Sequence, residues 1–337
     1  MIKTAEAVSL GHPDKTADYI SSYILDRFME NDAQTRFGVE VMIKNNTVVL
    51  GGEVRSDFTN PAWEDYVRQA LREIGYDENY AAKWQDKAVN INRLQVINLV
   101  SCQSAEIAQG VDTDGWGDQG IFVGYACQGN GLIGRELYLA RKLNRALYQK
   151  ALQSDNLGLD IKTQITLDGD KILTAIAAVP MLEAEDLSDF ICDVLGQKPQ
   201  QLLINATGNY SFHSSVADCG VTGRKLAVDF YAASAPIGGG SPWTKDATKA
   251  DLTLNLYARK LAVENLADND EVWVYLSSCI GQSCLPSATI KCRRGEKFFE
   301  KKLTNIESRP SVLIKKLGLD KPVYAEFCRQ GISEFKG

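Results

Sequence analysis

The segment GHPDK at residues 11–15 places an imidazole, a carboxylate and an ammonium group close together. Pro13 is suited to the first turn of a helix, where free backbone N–H groups attract anions. His12 and Lys15 could add positive charge against a phosphate, and Asp14 could hold Mg²⁺, which binds carboxylate and phosphate oxygens together. Capping of the helix by Asp14 is an equally simple interpretation of these residues.

Two later segments place cations directly after glycine-rich turns. Residues 218–225 read DCGVTGRK, and residues 238–251 read GGGSPWTKDATKAD. Arginine suits phosphate oxygens through its planar fork and lysine through its point charge. Either segment alone is also typical of a solvated loop. Because Asp160 and Lys162 add a third group on a predicted strand, a polyphosphate site is the stronger interpretation in a chain whose net charge is −6.

Carboxylates also interrupt two otherwise apolar predicted strands, at Glu40 and Glu53. Since an isolated buried carboxylate is costly, each is a candidate cation ligand or ammonium receptor. An outward position on a half-buried strand would explain them equally well. His213 has no companion ligand in the sequence, and we interpret it as structural or surface-exposed.

The segment GWGDQG at 115–120 matches the GxGxxG pattern of dinucleotide-binding proteins. That pattern requires a strand before it and a helix after it, but here polar residues precede it and the strand-like IFVGYA follows. We therefore reject the dinucleotide site and predict a flexible, glycine-rich loop that presents Asp118.

The elements that must position these residues follow from periodicity and turn signals. Apolar spacing predicts a helix over 14–29 and a second one capped by Asn60, with Pro61 in its first turn and Gly75 at its end. Asp168-Gly169 predicts the turn of a β-hairpin. Further helices are predicted over 137–147, 187–195 and 250–265, and strands at 37–43, 47–54, 93–100, 121–126 and 202–205. Without regular βαβ alternation, this mixture indicates an α+β fold.

The composition excludes several classes of protein. The chain has 337 residues, and its net charge of −6 argues against a general nucleic-acid binder. Its eight cysteines form no CxxC pair and only two histidines occur, so we expect reduced thiols and no zinc site. No signal peptide or membrane-spanning apolar run is evident, and we expect a cytoplasmic protein without a membrane partner.

Seven motifs occur in the order found in one enzyme family. They are GHPDK, GGEV, QSAEIAQGV, GDQG followed by VGYA, INATGNY, DCGVTGRK and GGGSPWTKDATKAD, and they extend over nearly the whole chain. In these motifs the sequence resembles the S-adenosylmethionine synthetases. The resemblance implies three similar mixed α/β domains in a pseudo-threefold arrangement, each a sheet with helices on one face. We place these domains at residues 1–107, 108–212 and 213–337.

The resemblance also implies an activity. The sulfur of L-methionine would displace the triphosphate chain from ATP to give S-adenosylmethionine, and the tripolyphosphate would then be hydrolysed to diphosphate and phosphate. Two Mg²⁺ ions and K⁺ are the implied cofactors. The family forms homodimers, often paired into tetramers, and its active sites lie between the two subunits of a dimer.

Carried over position by position, the resemblance implies roles for individual residues. The ATP contacts would be His12, Lys15, Asp160, Lys162, Asn209, Tyr210, Asp218, Arg224, Lys225, Ser241 and Lys245. Among them, His12, Lys162, Arg224 and Lys245 would be catalytic, and Tyr210 would stack on adenine. The methionine contacts would be Glu53, Gln103, Asp118, Asp218 and Lys249. Asp14 and Asp251 would bind Mg²⁺ and Glu40 would bind K⁺, while residues 103–115 would form a gating loop.

The sequence departs from the family pattern at several positions, and the chain is shorter than typical members. Leu10 replaces an acid, Ala206 a proline, Ile237 a histidine and Leu252 an arginine, and SPWTKD replaces AFSGKD. Loss of the arginine could weaken triphosphate hydrolysis. An active, divergent synthetase remains our interpretation. The alternatives are a catalytically weak paralogue acting as a nucleotide-binding regulatory subunit, an enzyme with altered chemistry, and a plain interaction protein.

Overall fold

The computed structural model describes residues 2–103 and 114–337. Its strands are β1 (Ile2–Val8), β2 (Arg36–Lys44), β3 (Thr47–Arg55), β4 (Gln95–Cys102), β5 (Gly120–Cys127), β6 (Lys162–Asp168), β7 (Lys171–Ala178), β8 (Gln201–Ile204), β9 (Gly220–Val221), β10 (Glu271–Ser278), β11 (Ser287–Arg294) and β12 (Lys297–Lys302). They form three four-stranded sheets, and the predicted α+β class is confirmed.

The helices of the described ranges lie between and around these sheets. They are α1 (Pro13–Asn31), α2 (Trp63–Ile74), α3 (Glu78–Trp84), α4 (Arg135–Leu152), α5 (Ser188–Leu195), α6 (Ser214–Ala217), α7 (Leu226–Asp229), α8 (Ala250–Glu264), α9 (Pro310–Lys316) and α10 (Tyr324–Gln330). None of the helices in the described part of the chain combines the length and apolar character needed to cross a membrane.

Each sheet combines strands from distant parts of the chain. The first sheet has the order β4-β3-β2-β9, the second β1-β6-β7-β8 and the third β12-β11-β10-β5. Each therefore takes one strand from outside the residue range predicted for its domain: β9, β1 and β5, respectively. The contiguous domain bounds, and the pseudo-threefold arrangement, stay predictions.

One long helix packs against each sheet. α1 packs against β2 and β9, α4 against β1 and β6, and α8 against β5 and β10. On the first sheet, alternate side chains such as Val39, Val41 and Leu50 are buried on one face, as the period of a half-buried strand requires. This sheet carries α1, and the N-terminus of α1 is where the candidate site is built.

Most local signals agree with the observed elements. Pro13 occupies the first turn of α1, and Gly169, at φ +55°, completes the turn between β6 and β7. The predicted cap at Asn60 is wrong. α2 begins at Trp63, so Asn60 and Pro61 both precede the helix, and the cap position is held by Ala62, whose side chain cannot accept a hydrogen bond.

Candidate active site

The N-terminus of α1 is capped by His12, not by Asp14. The Nδ1 atom of His12 accepts a hydrogen bond of 3.1 Å from the backbone N–H of Asp14. Because Nδ1 is the acceptor, Nε2 carries the proton, and Nε2 is buried without a partner among the described residues. Burial, followed by the charges of Lys225 and Lys162, lowers the pKa of His12 to about 2. The imidazole is therefore a neutral hydrogen-bond donor at physiological pH.

Asp14 connects α1 to the GRK loop, which we define as residues 218–225. Its Oδ1 atom accepts a hydrogen bond of 2.9 Å from the N–H of Val221, and its Oδ2 atom lies 2.5 Å from the Nζ atom of Lys225. The Nε atom of Arg224 lies 3.6 Å from Oδ1. One buried carboxylate thus gathers two of the cations predicted for the phosphate chain.

Asp251 connects α8 to the GGG loop, which we define as residues 238–249, in the same way. It lies in the first turn of α8 and accepts a hydrogen bond of 2.7 Å from the N–H of Gly240. Its Oδ2 atom lies 2.5 Å from the Nζ atom of Lys245. Ser241, in the same loop, accepts a hydrogen bond from the N–H of Trp243. A carboxylate on a helix again anchors both the backbone and a cation of a glycine-rich loop.

Asp160 and Lys162 lie beside the N-terminus of α1 because β6 pairs with β1, with Lys162 opposite Val8. The Oδ2 atom of Asp160 accepts a hydrogen bond from the N–H of Ser214, while Oδ1 is buried without a partner in the described ranges. Burial raises the pKa of Asp160 to about 6, although Lys162 opposes this shift. Asp218 also contributes to the electrostatic field at both His12 and Asp160.

Tyr210 lies close enough to Asp160 to feel its charge, and Asn209 precedes Tyr210 in the chain. Burial, and then the charge of Asp160, raises the pKa of Tyr210 above its ordinary value. Asn209 donates a hydrogen bond to the carbonyl of Met181 and lines a cavity of about 450 Å³ with Asn205. Tyr210, which is predicted to stack on adenine, is therefore near Asp160 of the predicted phosphate site.

Three residues predicted to hold methionine come together at the end of the first sheet. The Nε2 atom of Gln103 donates a hydrogen bond of 2.9 Å to Glu53, and Gln103 N–H donates to Val54. Lys249 lies over Gly38, the strand neighbour of Glu53, and contacts the carboxylate of Asp246 at 3.5 Å. This arrangement offers a carboxylate for an ammonium group and an ammonium group for a carboxylate, as an amino acid requires.

Asp118 lies next to this cluster in the backbone, because the N–H of Gly117 donates a hydrogen bond of 3.4 Å to the carbonyl of Thr248, which precedes Lys249. The exposed carboxylate of Asp118 accepts a hydrogen bond from the N–H of Gln119, and its carbonyl accepts one from Ser278. Most of the predicted gating loop, residues 104–113, lies outside the described residues. At its far end, the carboxylate of Asp114 accepts hydrogen bonds from the N–H and hydroxyl of Ser311.

The ammonium group of Lys15 is paired with two buried carboxylates. Its Nζ atom lies 2.8 Å from Asp229 and 3.3 Å from Asp18, in the interior behind α1. Burial alone would lower the pKa of Lys15, but the charges of Asp229, Cys328 and Asp18 outweigh it and hold the pKa above its ordinary value. Lys15 is thus a fully paired ammonium group.

The donor set fits metals that bind together with a phosphate chain. The described residues contain no cluster of three or more metal-binding side chains. Mg²⁺ commonly takes only one or two carboxylates and completes its shell with waters and phosphates, so single acids such as Asp14 and Asp251 suffice. Glu40, exposed on the first sheet, accepts hydrogen bonds from the hydroxyls of Thr222 and Thr244, an all-oxygen set that suits K⁺.

The departures from the family pattern lie in different environments. Leu252 is fully buried and Leu10 is nearly so, whereas Ile237 is partly exposed. His213 is structural, as expected: it is buried against Trp84 and hydrogen-bonded to the hydroxyl of Tyr80.

Sequence reasoning missed several residues that support the site. Asp18, Asp229, Trp243 and Asp246 hold loops or cations without belonging to the predicted contacts. Only Asp18 could have been found from the sequence, because it lies one helical turn after Asp14 and so on the same face of the predicted helix.

Two parts of the chain match domains of known proteins. Residues 1–105 match the S-adenosylmethionine synthetase N-terminal domain, and residues 212–335 match its C-terminal domain. The S-adenosylmethionine synthase of Paramagnetospirillum magneticum is 33% identical, covering 97% of this chain and 91% of the relative. S-adenosylmethionine synthase 2 of Rhodospirillum rubrum is 32% identical, covering 97% and 90%.

The fold is also that of a solved relative. An unusual S-adenosylmethionine synthetase from Campylobacter jejuni superposes with a TM-score of 0.88 at 30% identity, covering 98% of this chain and 94% of that one. The shared sequence, domains and fold lead to one conclusion: this chain belongs to the S-adenosylmethionine synthetase family.

Proposed function

We propose that this chain makes S-adenosylmethionine by transferring the adenosyl group of ATP to the sulfur of L-methionine. The observation that carries the proposal is that the chain builds two unlike groups of residues. His12, Lys162 and Lys225 converge at the N-terminus of α1, where a phosphate chain would be stabilised. Glu53 and Lys249 lie at the end of the first sheet, where an amino acid would be held by both of its charges.

The reaction needs placement more than acid–base catalysis. A thioether sulfur is already nucleophilic, so the main requirement is in-line approach to C5′ of ATP. The leaving triphosphate gains charge as the C–O bond breaks, and cations fixed in advance stabilise that charge. Arg224 and Lys245, held by Asp14 and Asp251, are suited to this task.

His12 would act as a fixed neutral donor in this step. Its Nε2–H is buried and unpartnered within the described residues, and its low pKa excludes a role as a charged acid at neutral pH. A hydrogen bond from Nε2 to the phosphate chain would strengthen as the triphosphate departs.

Asp14 and Asp251 would hold two Mg²⁺ ions, and Glu40 with Thr222 would hold K⁺. Bound Mg²⁺ would supply positive charge to the phosphate oxygens. The carboxylates now neutralise Lys225 and Lys245, which would then be free to turn toward the phosphates. The same cations would support hydrolysis of tripolyphosphate, which we propose proceeds here with Leu252 in place of the family arginine.

The test is direct. Purified protein is incubated with ATP, L-methionine, Mg²⁺ and K⁺, while S-adenosylmethionine is measured by mass spectrometry and phosphate in parallel. We expect methionine-dependent S-adenosylmethionine together with diphosphate and phosphate. Tight ATP binding without product would contradict the proposal and favour a nucleotide-binding regulatory subunit.

We also propose a cytoplasmic homo-oligomer whose active sites lie at the dimer interface. The outer face of the first sheet exposes Leu99 (65%), Ile97 (46%) and Met42 (42%). In the strand register, Leu99 aligns with Gly51 and Glu40, so this apolar surface is continuous with the candidate K⁺ ligand. Apolar patches of this kind commonly mark protein interfaces.

A charge placed in this surface should separate the subunits. We expect Leu99→Lys to run as a monomer in size-exclusion chromatography with light scattering, and to lose activity because the sites would be incomplete. Phe299→Lys is the matched control, since Phe299 is also exposed (53%) but lies on the third sheet. A Leu99→Lys dimer with normal activity would refute the interface.

ATP affinity should weaken in acid because of Asp160. Its raised pKa of about 6 means that the carboxylate, an acceptor for ribose hydroxyls, is present above pH 6 and lost below it. We therefore expect the KM for ATP to rise as the pH falls from 7 to 5. Asp160→Asn should raise this KM at pH 7 and abolish its pH dependence. A variant that retains the wild-type profile would assign the titration to another group.

A further inference from the structure

A buried network of charged groups lies behind the phosphate cluster. It consists of Lys15, Asp18, Asp229 and the indole of Trp243, all of them buried. Lys15 contacts both carboxylates, and Trp243 donates a hydrogen bond of 2.8 Å from Nε1 to the Oδ2 atom of Asp229. The Nζ atom of Lys15 also lies 5.0 Å from the centre of the Trp243 ring.

One arm of the network ends on the GRK loop. The Oδ1 atom of Asp18 accepts a hydrogen bond of 2.8 Å from the N–H of Gly223. Gly223 adopts φ +76°, a conformation that favours glycine, and Arg224 and Lys225 follow it directly. Asp18 therefore fixes the turn from which these two cations extend.

The other arm ends on the GGG loop. Trp243 lies two residues before Lys245, and its carbonyl accepts a hydrogen bond of 3.0 Å from Ser22 of α1. The indole N–H of Trp243 donates its hydrogen bond to Asp229. Trp243 belongs to SPWTKD, a segment in which this sequence departs from the family's AFSGKD.

The network leaves no positive charge of Lys15 free for a substrate. It holds one ammonium group and two carboxylates in the interior, where each unpaired charge would be costly. Removing the ammonium from its partners to reach a phosphate would leave Asp18 and Asp229 facing each other. Three further titratable groups lie near the network. Arg141 from α4 acts on Asp229, Cys328 from α10 acts on Lys15, and Lys15 itself acts on His12.

We propose that Lys15, Asp18 and Asp229 are positioning residues that fix the GRK and GGG loops against α1, and that Lys15 does not contact ATP. This inference rests on the proposed function only for its kinetic consequence. The loops carry Arg224 and Lys245, so their relative position sets where the two cations meet the leaving group. A misplacement of about 1 Å in such a site is enough to cost roughly a hundredfold in rate.

Asp18 offers the first test, through a pair of variants. Asp18→Asn keeps an oxygen acceptor for the N–H of Gly223 and leaves the Lys15–Asp229 pair neutral, so kcat should stay within about tenfold of wild type. Asp18→Ala removes the acceptor, and kcat should fall about 10- to 100-fold further, with the KM for methionine unchanged. Equal activity of the two variants would overturn the role of Asp18.

Lys15 offers the second test, through a double variant. Lys15→Met leaves two buried carboxylates, one of which must take up a proton. Because burial, although opposed by Lys15, already raises the pKa of Asp18 to about 7, loss of Lys15 raises it further. The folded variant then holds a proton that the unfolded chain lacks, so its thermal stability and kcat should fall as the pH rises from 7 to 9.

Lys15→Met/Asp18→Asn removes one charge of each sign. We expect it to fold even where Lys15→Met alone does not, and to recover activity without the steep pH dependence. If Lys15 contacted the phosphates, the double variant would be as defective as Lys15→Met at every pH, and the proposal would be wrong.

Amide exchange separates this inference from the proposed function. In Asp18→Ala, hydrogen exchange at Gly223 should accelerate relative to wild type and to Asp18→Asn, whether or not the protein makes S-adenosylmethionine. Unchanged exchange would overturn the network even in an active enzyme. A wild-type protein without product would instead refute only the proposed function.

Discussion

Asp14→Asn is expected to lower kcat by about 10²- to 10³-fold, the size of effect that follows loss of one preorganised electrostatic contact. The buried carboxylate accepts a hydrogen bond from the N–H of Val221 and pairs with Lys225. We propose that it also binds Mg²⁺. An amide can still accept the N–H, but it offers no charge to Lys225 or to the metal. Steady-state assays across a range of Mg²⁺ concentrations measure both consequences, and the Mg²⁺ requirement should rise.

Asp26→Asn is the matched control for Asp14→Asn. Asp26 is also a buried carboxylate of α1, but it accepts hydrogen bonds from the N–H groups of Tyr324 and Ala325 at the start of α10. Its substitution should change the melting temperature and leave kcat unaltered. An Asp14→Asn enzyme with wild-type kcat and Mg²⁺ dependence would remove Asp14 from the active site.

Lys162→Met should produce a loss of similar size, about 10²- to 10³-fold in kcat. Lys162 supplies positive charge to the pocket of His12 and Asp160, where the phosphate chain is expected to lie. Its side chain is exposed at the start of β6, so the substitution should cost little stability. Rapid-quench measurement of S-adenosylmethionine formation separates the chemical step from product release.

Lys171→Met is the control for Lys162→Met. Lys171 is an exposed lysine at the start of β7, and it pairs with Asp168 at the far end of the same hairpin. The Lys171→Met variant should retain wild-type kinetics. Equal losses in the two variants would indicate a general effect of charge on this sheet rather than a role for Lys162 at the phosphates.

The two glycine-rich loops share one electrostatic design. In each, one oxygen of a helix carboxylate accepts a hydrogen bond from a backbone N–H, and the other oxygen pairs with a lysine. Asp14 pairs with Lys225, and Asp251 pairs with Lys245. A metal ion and a phosphate chain that arrive together can exchange with these pairs without leaving a charge unpaired. We therefore expect Mg²⁺ and ATP to bind more tightly together than either does alone.

The sequence by itself determined the local elements and the identities of the reacting groups. Pro13 predicted the start of α1, Asp168-Gly169 predicted the hairpin turn, and glycines beside cations predicted the phosphate loops. These signals depend on neighbours in the chain, so backbone preference and spacing are sufficient to recognise them. The ordered motifs likewise indicated the family that the comparisons then showed.

Only the tertiary structure decided which groups face one another. β9, β1 and β5 each join a sheet distant in sequence, and no local pattern records such long-range pairing. Lys15 shows the same limit on a smaller scale. Successive residues of a helix point about 100° apart, so Lys15 cannot share the direction of Asp14, whereas Asp18, one turn later, can. The packing of the chain around α1 determined the partners of these side chains. It placed the GRK loop against Asp14 and the carboxylate of Asp229 against Lys15.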